Sequence, residues 1–413
     1  MGEFTSYWLY QKYVSTDSGQ TYVPVYPAEY SVNGDGTMPL SAKSEYDEAC
    51  GYVPPTPTAI YRWVDMDIST DYICDECGQY PFKLYATYSD SSDYTVDCNS
   101  STTLTQGEAK IFPAVLPSSS ITSVIVGDCV ETIGYGAFIN GEGSNISSIT
   151  ISNNVISIES YAFDNCKKLV SINIPSGVTS IEEGTFTGCY ILPSINIPSG
   201  VTSIGDYSFS HCSGLTSVSL SEGLTNIGDS AFIYCSSLQT ISIPNTVTSI
   251  GELAFSWCSG LTSINIPSGV TSIEQQTFYH CRNLSSINMP SGITSIGSWA
   301  FGYCGSLSYV ILPDNLTTIG ESAFYGCSGL TSITIPSGVT SLGTNSFRNC
   351  SGFTSVTINA ITPPTITPNG LGQYGYMFHN TNNCPIYVPA ASVNTYKTAT
   401  NWSTYASRIQ AIS

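Results

Sequence analysis

A cysteine recurs every 23 residues through the middle of this chain, and this spacing constrains the fold more than any other feature. Six apolar positions follow each cysteine except the last at offsets +3, +6, +8, +12, +15 and +20, and after Cys258 they are Leu261, Ile264, Ile266, Val270, Ile273 and Phe278. Self-similarity at a fixed period in the twenties is typical of a solenoid, in which each repeat forms one turn of a coil. The cysteines that keep the interval are Cys166, Cys189, Cys212, Cys235, Cys258, Cys281, Cys304, Cys327 and Cys350.

One repeat unit cannot fold alone. Burial of its six large apolar side chains contributes roughly 9–18 kcal/mol, whereas ordering the backbone costs on the order of 1–2 kcal/mol for each residue. Stacked units bury the apolar positions of their neighbours and pair their backbones, so the array supplies what one unit lacks. The repeat pattern is legible over about 10 turns between residues 118 and 358.

Two segments of each unit have the pattern of short strands. In the unit of Cys258, residues 263–267 read Ser-Ile-Asn-Ile-Pro, which alternates apolar with polar residues and ends in proline. Residues 270–273, Val-Thr-Ser-Ile, predict a second extended piece, and the segment around Phe278 predicts a short helical or 3₁₀ turn. We therefore predict an α/β-type solenoid that is dominated by short parallel strands.

The repeat also divides the chain. Residues 1–117 do not repeat and include a proline-rich run, which is typical of an extended linker. The sequence predicts an N-terminal arm with this linker at 1–58, a small β-rich module with cysteines at 59–117, the solenoid at 118–358, and a C-terminal helical cap at 359–413. In the last segment, the apolar spacing from Tyr396 to Ile409 predicts one or two short helices over the last turn.

The charge of the chain excludes several classes of partner. Only 10% of the residues are charged, and 11 Lys and Arg against 30 Asp and Glu give a net charge of −19. This is the wrong sign for neutralising phosphates, so neither nucleic acid nor anionic lipid is an expected partner. No apolar stretch approaches the length of a membrane span, so membrane insertion is not expected. The first residues lack the basic start and apolar core of a secretory signal, so either export does not use that route or the leader is missing from this sequence.

The nine periodic cysteines point the same way in every turn. Because nine is an odd number, they cannot all form disulfides with one another. We interpret them as a structural ladder of buried, reduced thiols that pack like small apolar groups, which favours folding in a reducing compartment.

The N-terminal cysteines are a separate case. Cys74 and Cys77 are a weak candidate metal site, to which Cys50 and Cys98 would add two thiolates; two disulfides or free thiols are the alternatives. Asp75 would raise rather than lower the pKa of the neighbouring thiols. We therefore predict neither a metal nor another cofactor.

Catalytic motifs are not evident in the sequence. The chain has three histidines, and His211 and His280 share offset +22, which favours a structural or binding position over general-base catalysis. Residues 370–375 match the pattern G-x-G-x-x-G, but they follow prolines rather than a strand. The sequence thus predicts a protein that is not an enzyme.

Two sets of offsets are expected to face outward. Offsets +5 and +7 carry Ser and Asn almost without variation, whereas +18, +21 and +22 vary and favour rings. Rings of adjacent turns would lie about 5–10 Å apart. They either pack on the next turn and shield the phenylalanines, or form a strip that stacks on sugar rings or anchors a protein partner. This aromatic strip comprises Tyr207, His211, Tyr234, Trp257, Tyr279, His280, Trp299, Tyr303 and Tyr325.

The repeat unit resembles a known family. The string LTSINIPSGVTSIEQQTFYHC at 261–281, with its neighbours, is similar to the BspA-type leucine-rich repeats found on the surfaces of gut and oral bacteria and in some protists. The segment from Tyr387 to Tyr396 is similar to the end of many family members from Bacteroidetes. A looser resemblance covers about 60 residues: Tyr61-Arg-Trp-Val and Asp71-Tyr-Ile-Cys-Asp-Glu-Cys are similar to N-terminal modules of structural proteins from gut bacteriophages.

These resemblances imply recognition or adhesion. One expectation is a surface-exposed phage virion component that binds other virion proteins and contacts the surface of a bacterial host. The alternative is a bacterial cell-surface or secreted adhesin that binds host matrix or other cells. In both cases the expected ligand is a surface protein or glycan. A glycan-active enzyme is a third alternative, for which no converging pair of carboxylates is evident.

Overall fold

In a computed structural model, the structure describes residues 130–138, 145–368 and 377–412 together with strand segments at 12–15, 22–25, 84–88, 93–96, 110–111 and 121–126. Most of the predicted arm at 1–58 and of the module at 59–117 lies outside the described residues. The domain boundaries therefore stay predictions.

The turns of the solenoid contribute short strands to two ladders, except that the segments around residues 241 and 310 form no strand in the first ladder. The strands are numbered β1–β27 along the chain. The first ladder contains the Ser-Ile-x-Ile segments: β6 (Ile121–Val126), β8 (Ser148–Ile151), β10 (Ser171–Ile172), β12 (Ser194–Asn196), β14 (Ser217–Ser219), β17 (Ser263–Asn265), β19 (Ser286–Asn288), β22 (Ser332–Ile335), β24 (Ser355–Ile358), β26 (Ile386–Val388) and β27 (Ile409–Ala411). Equivalent residues pair in parallel, as Ile264 does with Ile287.

The second ladder contains the Val-Thr-Ser-Ile segments. Its twelve strands are β5 (Lys110–Ile111), β7 (Thr132–Ile133), β9 (Ser157–Ile158), β11 (Ser180–Ile181), β13 (Ser203–Ile204), β15 (Asn226–Ile227), β16 (Ser249–Ile250), β18 (Ser272–Ile273), β20 (Ser295–Ile296), β21 (Thr318–Ile319), β23 (Ser341–Gly343) and β25 (Thr365–Thr367). The predicted parallel-strand solenoid is confirmed, and its length of about 12 turns exceeds the 10 that the repeat pattern made legible.

The remaining strands precede the solenoid. Strands β1 (Lys12–Ser15) and β2 (Tyr22–Val25) form an antiparallel pair. Strand β3 (Leu84–Tyr88) pairs antiparallel with both β4 (Asp93–Val96) and β6, so it extends the first ladder at its N-terminal end.

The apolar offsets form one continuous core. The phenylalanines at +20, together with Phe378 at the C-terminal end, stack into a buried column that begins at Phe138, with neighbouring ring centroids 5.1–5.8 Å apart. Offset-stacked rings at this distance stabilise one another beyond the burial of their area. The repeat therefore aligns a ring of every turn on the ring of the next.

The segment around each phenylalanine is not helical, so the prediction of a helical or 3₁₀ turn there was wrong. Residues 297–303, for example, form a succession of tight turns. Two residues of this segment, at +18 and +22, have left-handed backbone conformations, with φ of 59° at Trp299 and 62° at Tyr303. A right-handed helix cannot continue through such residues.

The last turn is covered by a cap that contains one short α-helix. Helix α1 (Val393–Thr398) lies between the 3₁₀ turns Ala390–Ser392 and Ser403–Tyr405, and β27 follows. The indole of Trp402 donates a hydrogen bond to the carbonyl of Pro364 at 2.8 Å, and its ring centroid lies 6.3 Å from that of Phe378. The phenylalanine column thus ends under the cap. No helix among the residues that the structure covers has both the length and the apolar character that crossing a membrane requires.

We expect Trp402→Ala to loosen this cap. The side chain is 1% exposed, and truncation of a buried tryptophan costs about 3–5 kcal/mol. Urea unfolding should show this loss, and hydrogen exchange should become faster within residues 377–412. Thr395→Ala, at an exposed position of the same cap, should change stability by less than about 0.5 kcal/mol. Equal stability of the two variants would contradict the assigned role of Trp402.

Candidate functional site

Rings at offset +22 of five consecutive turns stack face to face into a ring column. It consists of His211, Tyr234, Trp257, His280 and Tyr303, whose successive centroids lie 4.5, 5.5, 3.9 and 4.5 Å apart at interplanar angles of 8–29°. The column runs along the outside of the solenoid, parallel to the buried phenylalanines. Because each inner ring is covered on both faces by its neighbours, the column presents ring edges to solvent.

Three more rings of the predicted strip pack on the column. Tyr279 meets His280 edge-on at 4.4 Å and Trp299 at 5.8 Å, and Tyr325 contacts Trp299 at 5.1 Å. Tyr207 makes no ring contact with any described residue of the strip and is 46% exposed. The structure thus joins eight of the nine strip residues into one network and leaves Tyr207 apart.

Most of the strip residues have an unusual backbone conformation. Seven of them have φ between 55° and 62°, namely Tyr207, His211, Tyr234, Trp257, His280, Trp299 and Tyr303. A left-handed conformation at a bulky residue costs on the order of 1–2 kcal/mol, whereas glycine and asparagine adopt it readily. On either side of the column, offset +22 is occupied by such residues, first Gly188 and Gly326 and then Asn165 and Asn349. The turn itself therefore does not require a ring at +22.

Both histidines of the column have lowered pKa values. Burial lowers the pKa of His211, and burial together with the Arg282 guanidinium lowers the pKa of His280. Arg282 donates from Nε to Nδ1 of His280 at 3.3 Å and lies 5.9 Å from the ring centroid of Trp257. Nδ1 of His211 lies 2.8 Å from the hydroxyl of Ser210. Both imidazoles are therefore neutral at pH 7, and the column is uncharged except for Arg282 at its side.

The face formed by offsets +5 and +7 is polar, as its sequence predicts, but one turn breaks the pattern. Ser263, Asn265 and most of their equivalents present exposed hydroxyls and amides. In the turn of Cys304 these two positions hold Tyr309 and Ile311, which are 56% and 75% exposed. The sequence analysis did not single out this pair, although its departure from a monotonous pattern is visible in the sequence.

The periodic cysteines lie inside the coil. All nine are buried with free thiols, and each Sγ donates to the carbonyl of a phenylalanine in the turn below at 3.0–3.4 Å. Burial raises the pKa of Cys258 and of Cys350 to about 12. A thiol so far from ionisation is a poor nucleophile and a poor metal ligand.

Within the described parts of the chain, no group of three or more His, Cys, Asp and Glu side chains has the arrangement of a metal site. The weak metal candidates Cys74 and Cys77, with Cys50 and Cys98, lie outside the described residues, as do residues 370–375. Among the described residues, the aromatic strip, with eight rings in one contact network, is therefore the candidate binding site.

The repeats match the sequence profile of a known family. The profile of the BspA type leucine rich repeat region matches residues 131–262 and 248–369, which together span more than half of the chain. No curated protein sequence matches the chain.

Several solved structures are similar. A leucine-rich repeat protein from Bacteroides ovatus is 24% identical, with a TM-score of 0.46, over 83% of this chain and 100% of that chain. A leucine rich cell surface protein from Faecalibacterium prausnitzii is 26% identical, with a TM-score of 0.39, over 66% of this chain and 90% of that chain. A leucine-rich repeat protein from T. pallidum is 29% identical, with a TM-score of 0.38, over 45% and 83%. With the family profile and a 23-residue parallel-strand coil, this chain belongs to the BspA-type leucine-rich repeat family.

Proposed function

We propose that this chain is a recognition protein, without catalytic activity, that binds a protein or glycan on a cell surface through the aromatic strip. The observation that carries the proposal is the ring column. Five successive turns hold a bulky ring in a left-handed conformation that Gly or Asn provides in the turns beyond them. Stacking of neighbouring rings offsets part of this strain, but the folding of a turn accounts for neither the rings nor their confinement to these turns.

The chemistry of the strip suits binding. Tyr207, Tyr234 and Tyr303 are between 37% and 46% exposed, and Trp257 and Trp299 are half-buried beside them. Large aromatic side chains that are ordered before binding lose little entropy on complex formation, and Tyr and Trp dominate the energetics of many interfaces. Since the inner faces of the column are occupied, a ligand meets mainly ring edges and the flanking rings. A flat sugar stacked between two inner rings would have to force them apart.

The net charge narrows the class of ligand. A chain with a net charge of −19 repels nucleic acid and other polyanions, and Arg282 is the cation that lies at the column. A neutral glycan, or a protein surface that is neutral or basic, is compatible with the negative electrostatic potential of this chain. The ligand proposed here is accordingly an uncharged or basic surface component.

For the setting of this binding, we propose a phage virion that contacts its bacterial host, with other virion proteins as partners. The support is the resemblance of Tyr61-Arg-Trp-Val and Asp71-Tyr-Ile-Cys-Asp-Glu-Cys to phage modules, together with nine buried free thiols, which suit folding in a reducing compartment. The alternative is a bacterial surface adhesin. Antibodies against the chain should label purified phage particles, and labelling confined to bacterial envelopes would favour the adhesin.

Replacement of Trp257, Tyr279 and Trp299 together by serine tests the binding role of the strip. Serine already occurs at the equivalents of two of these positions: Ser230 and Ser322 share the left-handed offset of Trp299, and Ser210 and Ser256 share the offset of Tyr279. The fold should therefore tolerate the change. We expect at least a tenfold loss in binding to whole cells, because each aromatic anchor of an interface contributes about 2 kcal/mol or more. The measurement is flow cytometry of the labelled protein on a panel of gut bacteria and on immobilised host matrix proteins.

The matched control for the strip is Tyr309→Ser with Ile311→Asn. It removes two other exposed apolar side chains and restores the residues that these offsets usually carry. This variant should bind like the unmodified protein. Full binding by the strip variant, or loss of binding only in the control, would move the site to the polar face.

A further inference from the structure

We propose that the gap in the column at Gly188 is a binding slot for one aromatic side chain, Tyr or Trp, of a protein partner. This inference rests on the proposed function, since it specifies how the strip takes its ligand. The incoming ring would stack on His211 and add a sixth member to the ring column. Gly188 occupies offset +22 with φ of 70°, the same conformation as the column residues, but it has no side chain.

The gap has the height of one ring. Successive turns of a parallel ladder are about 4.8 Å apart, so Asn165 and His211, which flank Gly188 at the same offset, are separated by about 10 Å. A flat ring stacked between two surfaces needs roughly 3.5–4.0 Å on each side. A puckered sugar ring is thicker and brings hydroxyl groups on both faces. The height of the gap thus favours a flat aromatic ring.

His211 forms one wall of the slot. It is exposed, one of its faces stacks on Tyr234 at 4.5 Å, and no side chain at 188 covers the other. Although the side chain as a whole is exposed, partial burial of the ring lowers its pKa, so the wall is a neutral imidazole that can stack on another ring. Asn165 forms the opposite wall. Its Oδ1 lies 2.8 Å from the position that a Cβ at Gly188 would take, so this amide turns aside when a ring enters the slot.

Tyr190 forms the side of the slot. Offset +1 reaches the column, because Arg282 at this offset contacts His280 and Trp257. By the repeat, Tyr190 stands in the same relation to Gly188. Tyr190 is 38% exposed and the following Ile191 is 49% exposed. The equivalent positions in the three turns that follow hold small residues: Ser213 and Gly214, Ser236 and Ser237, Ser259 and Gly260. An apolar pair therefore stands beside the gap, where the column lacks a ring.

The opposite end of the column is closed. At Gly326 the ring of Tyr303 itself comes within 3.0 Å of the position that a Cβ would take. Tyr325 packs edge-on against Tyr303 at 5.3 Å, and offset +1 there holds Ser328. The two glycines thus differ in the side chain that borders them: a ring of the column packs over Gly326, whereas the short amide of Asn165 borders Gly188.

The test uses the full chain with labelled histidines and two probes, p-cresol and 3-methylindole, which represent the side chains of Tyr and Trp. In NMR titrations we expect saturable shifts of the His211 ring protons, at least tenfold larger than those of His280, which both neighbours cover. Gly188→Tyr should fill the slot with a ring in the conformation of Tyr234 and abolish the His211 response. Asn349→Tyr, which adds a ring at the same offset outside the column, should leave it unchanged.

Three results would overturn the slot: equal shifts at His211 and His280, an unchanged response in Gly188→Tyr, or a response of His211 to methyl glucoside but not to the aromatic probes. Cell binding separates this inference from the proposed function. If Gly188→Tyr binds cells normally while the serine variant of the strip does not, the slot is wrong and the strip stands. If both variants bind normally, the proposed function fails as well.

Discussion

Phe278→Asp is expected to unfold the middle of the solenoid. Phe278 is completely buried and stacks between Phe255 at 5.8 Å and Phe301 at 5.4 Å. Loss of the ring alone costs about 3–5 kcal/mol, and burial of an unpaired carboxylate adds several more. A solenoid has only its two nearest neighbours to support each turn, so both interfaces of this turn are lost together. Urea unfolding and hydrogen exchange should show the loss first in the turns around residue 278.

The control for this experiment introduces the same charge in the same turn. Gln275 is exposed, and the repeat places aspartate at the equivalent positions Asp206 and Asp229. Gln275→Asp should therefore change stability by less than about 0.5 kcal/mol. If Phe278→Asp melted like Gln275→Asp, the phenylalanines would not form the core and the register of the whole coil would be wrong.

The register was predictable because the core repeats without insertions. Each isoleucine at +6 or +15 lies beside its equivalent 23 residues away, as Ile273 pairs with Ile296. The offset of a residue from its cysteine therefore determines whether its side chain is buried. The additional turns at the ends were not legible, because β5 (Lys110–Ile111) and β26 (Ile386–Val388) depart from the 23-residue spacing. Pairing of their backbones extends the ladders without the sequence signature of the repeat.

The tight turns around the phenylalanines could not be predicted from the local sequence. Gly and Asn are the usual signal of a left-handed residue, and they occur here at Gly184, Gly188 and Asn345. In the central turns the equivalents of Gly188 are rings such as Trp257 and His280, and the equivalents of Gly184 include Leu253 and Gln276, so the sequence there does not show a turn. The helical prediction therefore failed, because most turns lack Gly or Asn at one or both of their left-handed positions.

The members of the strip could be chosen from the sequence, but their arrangement could not. The offsets +18, +21 and +22 locate the rings on the outside of the coil. Whether neighbouring rings expose faces or edges depends on side-chain rotamers, and the spacing of 3.9 Å between Trp257 and His280 leaves no face free between them. For the same reason the slot at Gly188 could not be predicted from the sequence, because it depends on the stacking of His211 and the rings that follow it.

The cysteines should make the solenoid unfold at alkaline pH. Burial raises the pKa of Cys189, Cys235, Cys258, Cys281, Cys304, Cys327 and Cys350, to about 12 for Cys258 and Cys350. An unfolded thiol ionises near pH 8.5–9. The contribution of these thiols to folding stability is therefore constant below about pH 8.5 and falls above it, because only the unfolded chain releases these protons. Each such thiol removes about 1.4 kcal/mol per pH unit, so seven remove about 10 kcal/mol within the first unit, as much as the stability of an ordinary domain.

The measurement combines circular dichroism with the absorbance of thiolate at 240 nm between pH 7 and 11. We expect the native signal and the protonated thiols to be lost in one steep transition. Replacement of Cys235, Cys281 and Cys327 by alanine should make the transition shallower. Its midpoint should lie at a higher pH than that of a variant with the same stability at pH 7 and all nine periodic cysteines. If thiolate absorbance rose near pH 9 while the native signal persisted, and rose less in the alanine variant, the replaced thiols would reach solvent. The cysteines would then line the surface rather than the interior of the coil, and their constant spacing would need a different physical cause.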